Sequence, residues 1–362
     1  MIFVRPFWVC LAACALAGPI LGSSPGAAEE PEKIPVRVVV VTTFEIDQSG
    51  QDQGGEFQAW TNQYPLPVHI PFPQGYHELR YNPADQVLGI VTGEATARAS
   101  ASITALGYDP RFDLSHAYWV VAAIAGIDPN VASVGSAAWA HYVVVGDLAH
   151  EIDAREIPPG WPTGYVPLGR YLPYQQPVPP VNSINGDQVY TLNAQLVDWA
   201  YNYTKAVQLP DDSNLQQLRA PYTQATARMP PFVLEGDDLA SGIYWVGALL
   251  NIWAENWVSY WTNSQGKFAT TLEEDGGIMQ AITFLSQVKR ADPSRVLILR
   301  TASDYTVPPP GLTAADLLKI DEGGGSSSGY AFSAYAESLA AAYAVASPVV
   351  RYLAAHGGPS GQ

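Results

Sequence analysis

The sequence predicts an α/β fold in which a central mixed, mostly parallel sheet is flanked by helices. Five apolar or β-branched runs have the length of buried strands, and segments with helical character separate several of them. The composition supports the same class, because the 362 residues are 48% hydrophobic and only 14% charged, which is enough apolar material for a large core. No internal repeat and no second core are evident, so we expect residues 29–362 to form one domain.

The strands are expected, in chain order, at 36–44 (VRVVVVTTF), 87–93 (VLGIVTG), 115–127 (SHAYWVVAAIAGI), 142–154 (YVVVGDLAHEIDA) and 295–301 (RVLILRT). Helices are expected at 94–107, 187–206, 239–261, 274–290, 313–320 and 332–355. Residues 157–183 are dense in Pro and aromatic residues, and we expect them to form an irregular loop that covers the core. The Gly- and Ser-rich residues 321–330 are either a mobile lid or a plain connector.

Residues 1–28 have the pattern of a secretory signal peptide, with one Arg, an apolar centre and small residues that end at Ala28. The alternative is a lipoprotein anchor at Cys14, which follows Leu-Ala-Ala. The only other cysteine, Cys10, lies in the same segment, so the exported chain would have no disulfide or thiol chemistry. We therefore expect a secreted or periplasmic protein.

Charge and hydropathy exclude several kinds of partner. The formal net charge is −16, which repels nucleic acids and anionic membranes but not a small neutral ligand. Beyond the N-terminal segment, we find no stretch with the roughly 18 continuous apolar residues of a membrane span. The closest stretch, at 240–261, is interrupted by Glu255 and Asn256.

Chemically useful residues follow the expected strands. Ligands of α/β sheets bind beyond the carboxyl ends of the strands, a position that here belongs to Glu45, Asp47, Gly93, Glu94, Gly126, Arg300, Ser303 and Asp304. The sequence lacks a Gly-x-Ser-x-Gly elbow, a P-loop and a His-Glu-x-x-His motif. The six His are scattered, and His141 and His150 are better explained as structural residues, so we expect no metal and no cofactor.

Carboxylates at strand and helix ends are the remaining candidates: Asp47, Glu273, Glu274, Asp275 and Asp304. Each has an equally simple structural explanation. Ser303 and Asp304 would cap a turn through their own backbone, and the acids at 273–275 would favour the positive end of a helix dipole.

The order of six motifs resembles the nucleoside phosphorylase/nucleosidase superfamily, and in particular its secreted branch, the purine nucleoside permeases. These motifs are VVVVTTFEID (38–47), GIVTGEATARASASITAL (89–106), AAIAGIDPNVASVGSAAWAHYVVVGDLAHEIDARE (122–156), EGDDLASGIYWVG (235–247), TTLEEDGG (270–277) and LRTASDYTVPPPG (299–311). The likeness covers roughly residues 34–355. It implies a three-layer nucleoside phosphorylase-like fold and a purine nucleoside as the ligand.

The resemblance also implies roles for single residues. Asp304 matches the carboxylate that hydrogen-bonds N7 of the purine and gives a proton to the departing base. Glu274 matches the glutamate that holds the ribose hydroxyls, and Glu273 stands where the family usually has a Met under the sugar. Asp47, or Glu45 if the register differs, matches the acid that activates water in the nucleosidase branch.

The other residues expected to bind substrate are Gly93, Gly126, Ser303, Trp245, Tyr305 and Arg300. Trp245, Tyr244 or Tyr305 would stack on a purine, although core packing explains these aromatic residues equally well. Arg300 either faces the opposite side of its strand or pairs with Glu274.

Cleavage of an N-glycosidic bond passes through an oxocarbenium-like sugar, which needs an acid near the base and negative charge near the ring. Asp304 must then keep its proton near neutral pH, which requires that burial raise its pKa. Ile124 stands where the phosphorylases bring Arg or Ser to phosphate, so phosphate is the lesser alternative to water. We expect an exported homo-oligomer that cleaves purine nucleosides. The alternative is a nucleoside-binding or transport component without catalysis.

Overall fold

The structure, a computed structural model, describes residues 32–45, 54–178, 188–321 and 334–359. Within the chain, Lys33–Gln362 form one compact unit. The expected signal peptide, both cysteines, Asp47 and all but the first residue of 321–330 lie outside the described residues. The domain boundary after residue 28 therefore stays a prediction.

Most strands are short, and two of them reach ten residues. In the described ranges the strands are β1 (Ile34–Pro35), β2 (Val38–Thr42), β3 (Val68–Ile70), β4 (Leu79–Asn82), β5 (Val87–Val91), β6 (Phe112–Asp113), β7 (Tyr118–Ile127), β8 (Ala137–Trp139), β9 (Tyr142–Val145), β10 (Ala149–Glu151), β11 (Tyr165–Pro167), β12 (Val189–Thr191), β13 (Val233–Glu235), β14 (Asp237–Ala240), β15 (Phe268–Leu272) and β16 (Val296–Tyr305). The helices are α1 (Gln58–Gln63), α2 (Ala95–Tyr108), α3 (Ala194–Thr204), α4 (Ser213–Arg219), α5 (Ala248–Trp261), α6 (Asp275–Gln287), α7 (Ala314–Asp321) and α8 (Tyr335–His356).

Within the described residues, twelve strands form one mixed sheet whose main path runs β12-β9-β14-β15-β7-β2-β5-β4-β3. β16 also pairs with β7 and with β8, and β8 continues to β13. The central pairs β5–β2, β2–β7 and β7–β16 are parallel, whereas β3–β4, β4–β5 and β9–β12 are antiparallel. The predicted α/β class with a central mixed sheet is confirmed.

The central strands are buried throughout, which explains their continuous apolar sequence. Every residue of β2, β7 and β16 is buried, as is usual for parallel strands covered on both faces. Because β2, β7 and β16 run in the same direction, their carboxyl ends lie along one edge of the sheet. Residues that follow or end these strands therefore come close together.

Small residues allow α2 and α6 to approach each other closely. A Cβ added to Gly277 would lie 2.3 Å from the carbonyl oxygen of Thr96, and one added to Gly107 would lie 2.2 Å from Leu285. The small-residue character of α2 is thus a packing requirement. This close packing places the N-terminus of α2 next to the N-terminus of α6, beside the sheet edge where β2, β7 and β16 end.

Helix α8 is long and apolar enough to cross a membrane if only length and composition are considered. More than half of the relevant window, 56%, is buried against the rest of the protein. Its buried residues include Val345, Val349, Val350 and Leu353, which belong to the main hydrophobic core. A core helix passes the same test, so the absence of a membrane span stays a prediction.

Three sequence-based boundaries are wrong. The expected strand 142–154 is divided into β9 and β10, because the chain leaves the large sheet after Gly146, where Asp147 accepts a hydrogen bond from the Gly242 N–H (2.8 Å). The expected helix 239–261 begins as β14, and α5 starts only after Gly247, whose φ of 128° favours glycine. The expected helix 187–206 begins as β12, and Asn193 caps α3 by accepting from the Leu196 N–H.

Candidate functional site

A cleft lies at the edge of the sheet where β2, β7 and β16 end. It contains a cavity of about 120 Å³. Of the residues predicted to form a site, the ones that line this cleft are Glu94, Gly126, Tyr244, Glu273, Glu274, Arg300, Ser303 and Asp304. Residues more than 170 positions apart in the sequence therefore meet in one place.

An irregularity in β16 presents Asp304 to the cleft. The register of β16 on β7 shifts between Ala302 and Asp304, and Asp304 then lies opposite Gly126. Bulges of this kind often occur next to active sites, where they redirect a side chain. The strand continues to Tyr305, so the expected end at Thr301 and the alternative of a capped turn at 303–304 are both wrong.

The Asp304 carboxyl is buried and hydrogen-bonded on both oxygens. The Ser303 hydroxyl donates to Oδ1 at 2.7 Å and the Tyr244 hydroxyl to Oδ2 at 3.2 Å. Burial raises the pKa of Asp304, and the hydrogen bonds from Ser303 and Tyr244 act in the opposite direction. Its environment thus favours the protonated form that a general acid needs.

Arg300 pairs with the acids at the N-terminus of helix α6. Pairing with Glu274 was one of the two predicted alternatives. Its Nε donates to Asp275 Oδ2 at 3.0 Å, and its Nη2 donates to Asp275 Oδ1 at 2.6 Å and to Glu274 Oε2 at 3.1 Å. Its Nη1 donates to the carbonyl oxygen of Ile124 at 2.8 Å. Burial lowers the pKa of Arg300, but Asp275 and Glu274 outweigh this effect and hold it above its ordinary value.

The start of α2 holds the Glu273–Glu274 pair in place. The Ala95 N–H donates to Glu274 Oε1 at 3.1 Å, and the Thr96 hydroxyl donates to the carbonyl oxygen of Glu273 at 2.7 Å. Burial, together with the charges of Glu274 and Glu94, raises the pKa of Glu273 to about 7. Two neighbouring acids thus line the cleft, and they differ in their partners.

Glu56 also lines the cleft, and sequence reasoning missed it. Its Oε2 accepts from the Thr43 N–H (2.6 Å) and the Phe44 N–H (2.9 Å), and its Oε1 accepts from the Ile124 N–H (2.7 Å). Burial raises the pKa of Glu56 to about 7, against the opposing effect of Arg300. A carboxyl with this pKa can act as a general base at neutral pH.

Of the two acids expected just after the first strand, the structure describes only Glu45. Glu45 is buried and accepts from the Phe57 N–H at 2.8 Å, and it does not line the cleft. Asp47 is outside the described residues. The Gly54-Gly55 pair before Glu56 indicates a close approach of two chain segments, since a Cβ on Gly55 would lie 2.3 Å from Glu45 Oε2.

Three other predicted residues do not line the cleft, whereas Tyr244 does. Trp245 packs against Trp253 and Phe268 in an aromatic cluster. Tyr305 packs on Tyr222, with ring centroids 4.0 Å apart, and its hydroxyl donates to the Ala227 carbonyl oxygen. Gly93 has a φ of 82° that permits the turn before α2.

Among the described residues outside the cleft, one group of side chains could hold a metal ion. His141, Asp198 and Glu235 each offer a ligand atom, and these atoms lie within 4.8 Å of one another. The His141 Nε2 already contacts Glu235 at 3.2 Å and Asp198 at 3.6 Å, and none of the three lines the cleft. A half-buried His beside two exposed carboxylates is explained by ion pairing alone.

Comparison with known proteins identifies relatives over most of the chain. A sequence model of the family "Purine nucleoside permease (NUP)" matches residues 35–357. A purine nucleoside permease of Candida albicans is 32% identical over 229 residues, which are 62% of this chain and 55% of that protein. A Schizosaccharomyces pombe protein assigned to the same permeases is 31% identical over 239 residues, or 64% of this chain and 67% of that one. The chain thus spans little more than half the length of the Candida relative.

A solved structure has a similar fold. It is a Francisella philomiragia protein assigned to the 5′-methylthioadenosine/S-adenosylhomocysteine nucleosidases, with a TM-score of 0.50 and 12% identity. The match covers 86% of this chain and 98% of that one. The nucleoside phosphorylase-like fold implied by the sequence motifs is confirmed.

Proposed function

The chain belongs to the purine nucleoside permease family, and we propose on that premise that the cleft binds purine nucleosides and hydrolyses their N-glycosidic bond. One observation favours hydrolysis over nucleoside binding without catalysis. Two buried carboxyls, Asp304 and Glu56, line the same cleft, and burial raises the pKa of both. Such a pair supplies an acid and a base near neutral pH, which binding does not require.

In the proposed reaction, Asp304 donates its proton to N7 of the purine as the bond between C1′ and N9 breaks. The electron pair of that bond goes to the base, and positive charge develops on the sugar. Glu274 holds the ribose hydroxyls, and the nearby carboxylates stabilise the developing charge. Water adds to C1′ and gives its proton to Glu56, which takes the place that the sequence assigned to Asp47 or Glu45.

The charges in the cleft favour water over phosphate as the nucleophile. Among the described residues that line it, Arg300 is the only Lys or Arg. Its guanidinium donates to Asp275, Glu274 and the Ile124 carbonyl, and these bonds use four of its five N–H groups. A phosphate dianion would be placed among carboxylates without a cation to bind it. The same argument favours a neutral nucleoside over a nucleotide.

Nucleoside turnover with and without phosphate tests this function. The purified protein is incubated with inosine or adenosine, and the base and sugar products are separated. We expect free base and free ribose at equal rates in both conditions. Ribose 1-phosphate formed only with phosphate would overturn hydrolysis in favour of phosphorolysis. Binding without turnover would overturn catalysis.

The second candidate function is nucleoside binding in a transport system. The two fungal relatives are named as permeases, and their names favour this second function. A nucleoside-binding protein would hold the intact ligand, so the same assay distinguishes the two functions by the presence of free base.

We further propose that the protein is exported and that it assembles as a homo-oligomer. Export is supported by the signal-peptide pattern of residues 1–28. Assembly is supported by exposed apolar side chains, including Leu249 (81% exposed), Ile243 (59%) and Phe284 (54%). An N-terminus at or near Glu29 in the exported protein, and a mass above that of one chain in light scattering, would support these proposals. A retained N-terminus or a monomer would contradict them.

A further inference from the structure

The Tyr244 hydroxyl lies between two buried carboxyl groups. Its oxygen is 3.2 Å from Asp304 Oδ2 and 3.0 Å from Asp321 Oδ2. Asp304 and Asp321 are each only 2% exposed. Asp321 is the last residue of α7 and belongs to no motif from which the function was argued.

Counting hydrogen atoms shows what this arrangement requires. A phenol carries one hydrogen, so Tyr244 can donate to only one of the two carboxyls at a time. The second contact is a hydrogen bond only if that carboxyl is protonated and donates to the phenol oxygen. Two buried carboxylates on one hydroxyl would leave the second contact repulsive. The group Asp304–Tyr244–Asp321 therefore holds one proton shared between its two carboxyls.

We propose that Asp321 is the proton partner of Asp304 and that Tyr244 relays the proton between them. This proposal rests on the proposed function, in which Asp304 gives its proton to the leaving base. When the shared proton lies on Asp321, it reaches Asp304 before that step: Asp304 takes the hydrogen of the Tyr244 hydroxyl, while Tyr244 takes the hydrogen of Asp321. The result is protonated Asp304, an intact phenol and ionised Asp321. Asp304 then gives this proton to the base, and the pair takes up one proton from solvent, which balances the proton that Glu56 receives from water and releases to solvent.

Three described groups near the relay, those of Ser303, Tyr222 and Glu273, do not replace either carboxyl. The Ser303 hydroxyl carries no charge, and its one hydrogen goes to Asp304 Oδ1 at 2.7 Å or to the Ala125 carbonyl oxygen at 3.2 Å. The Tyr222 hydroxyl donates to the Val307 carbonyl oxygen at 2.8 Å. The Glu273 carboxyl accepts a hydrogen bond from the Tyr244 backbone N–H and lies outside the chain of three.

Tyr244 remains a phenol throughout. Burial raises the pKa of Tyr244 far above its ordinary value, and the charges of Asp304 and Asp321 raise it further. The two aspartates are therefore the groups that titrate, and they do so as a coupled pair. Neither pKa then belongs to one residue alone.

The test compares the full-length protein with two variants, Asp321→Asn and Tyr244→Phe. The control is Asp316→Asn, which removes an exposed carboxylate from the same helix and keeps an acceptor for Thr313. Aspartate side chains are labelled with ¹³C at the carboxyl carbon, and their NMR signals are followed over pH without substrate. The rate of base release from inosine is measured over the same pH range.

In the wild type and the control, we expect the Asp304 and Asp321 signals to titrate in two shared steps. Tyr244→Phe should separate them into two independent titrations, and Asp321→Asn should leave one step for Asp304. In Asp321→Asn, the amide donates to the phenol, which then donates to ionised Asp304. We therefore expect kcat on the alkaline side of the profile to fall about tenfold or more, while the control is unchanged.

Independent titration of the two aspartates in the folded wild type would overturn the proposal, and so would an unchanged alkaline limb in Asp321→Asn. Thermal unfolding of each variant identifies loss of the fold, and the conservative Asp321→Glu then replaces a variant that does not fold. The NMR titration needs no turnover. A wild type with coupled aspartates and no base release would thus contradict the proposed function and leave the proton sharing established.

Discussion

Gly126 lies directly opposite Asp304 in the β7–β16 pairing, and a Cβ added to Gly126 would lie 3.0 Å from Asp304 Oδ2. The same Cβ would lie 3.1 Å from Thr271 Cγ2. Both distances are shorter than an ordinary van der Waals contact. The carboxyl of Asp304 thus occupies the space that any other residue at position 126 would fill, and glycine is needed there for close approach.

Gly126→Ala should therefore displace the Asp304 carboxyl by a few tenths of an ångström and reduce base release more than tenfold, because acid catalysis depends on position. We expect the free energy of unfolding to fall by about 1–3 kcal/mol, as for other overpacked sites. Gly276→Ala is the control, since its Cβ would lie 3.4 Å from Val145 in an ordinary contact. Equal activity of Gly126→Ala and the wild type would contradict this role.

Asp304→Asn should remove the acid and spare the fold. The amide is nearly isosteric. Its oxygen accepts from one of the hydroxyls of Ser303 and Tyr244, and the other hydroxyl can rotate to accept from its nitrogen. We expect base release to fall by about 10²–10⁴-fold, the usual contribution of a general acid, with normal thermal unfolding. Asp147→Asn, an exposed change that keeps an acceptor for Gly242, is the control. Full activity of Asp304→Asn would exclude its proposed role.

Arg300 and Asp275 should matter for stability as well as for the site. Arg300 is 1% exposed and Asp275 is fully buried, so removal of Asp275 leaves a buried cation without its bidentate partner. Breaking a buried pair in this way usually costs about 3–5 kcal/mol. We expect a loss of that order for Asp275→Ala in urea unfolding. Asp153→Ala, which breaks an exposed pair with Arg155, should leave the unfolding midpoint unchanged.

The long, β-branched or apolar runs were enough to predict the central strands and the α/β class. β2, β5, β7 and β16 all begin within three residues of the expected positions, because burial on both faces requires continuous apolar sequence. Short strands with polar or small residues, such as β15 (FATTL) and β14 (DDLA), were not recognised. Their pairing with neighbours in the sheet determines their structure, and a single-sequence pattern does not contain that information.

The candidate site was predictable only where residues follow such strands or belong to a recognised motif. Asp304 and Glu274 were found in this way and line the cleft. Glu56 was missed because it is 14 residues beyond the end of β2 and returns to it through hydrogen bonds with Thr43 and Phe44. Tyr244 and Trp245 are adjacent, and only the backbone geometry decides which one faces the cleft.

We expect Glu56 to make the free energy of unfolding decrease as the pH rises. Burial raises the pKa of its carboxyl from 4.5 to about 7 in the folded chain. Between these values the folded chain holds a proton that the unfolded chain has lost, so the stability contributed by this group is present below pH 4.5 and is lost as pH rises towards about 7. The size of this change is about 3 kcal/mol.

Glu56→Gln cannot ionise and should lack this part of the pH dependence. Its unfolding free energy, compared with that of the wild type, should therefore rise by up to about 3 kcal/mol between pH 4.5 and about 7. Glu273 and Asp304 remain in both proteins, so the difference isolates Glu56. Urea unfolding over this pH range measures it, with the exposed change Glu156→Gln as the control. A constant difference over the whole range would show that Glu56 is ionised in the folded protein, and it would remove the argument for Glu56 as a base that is partly protonated at neutral pH.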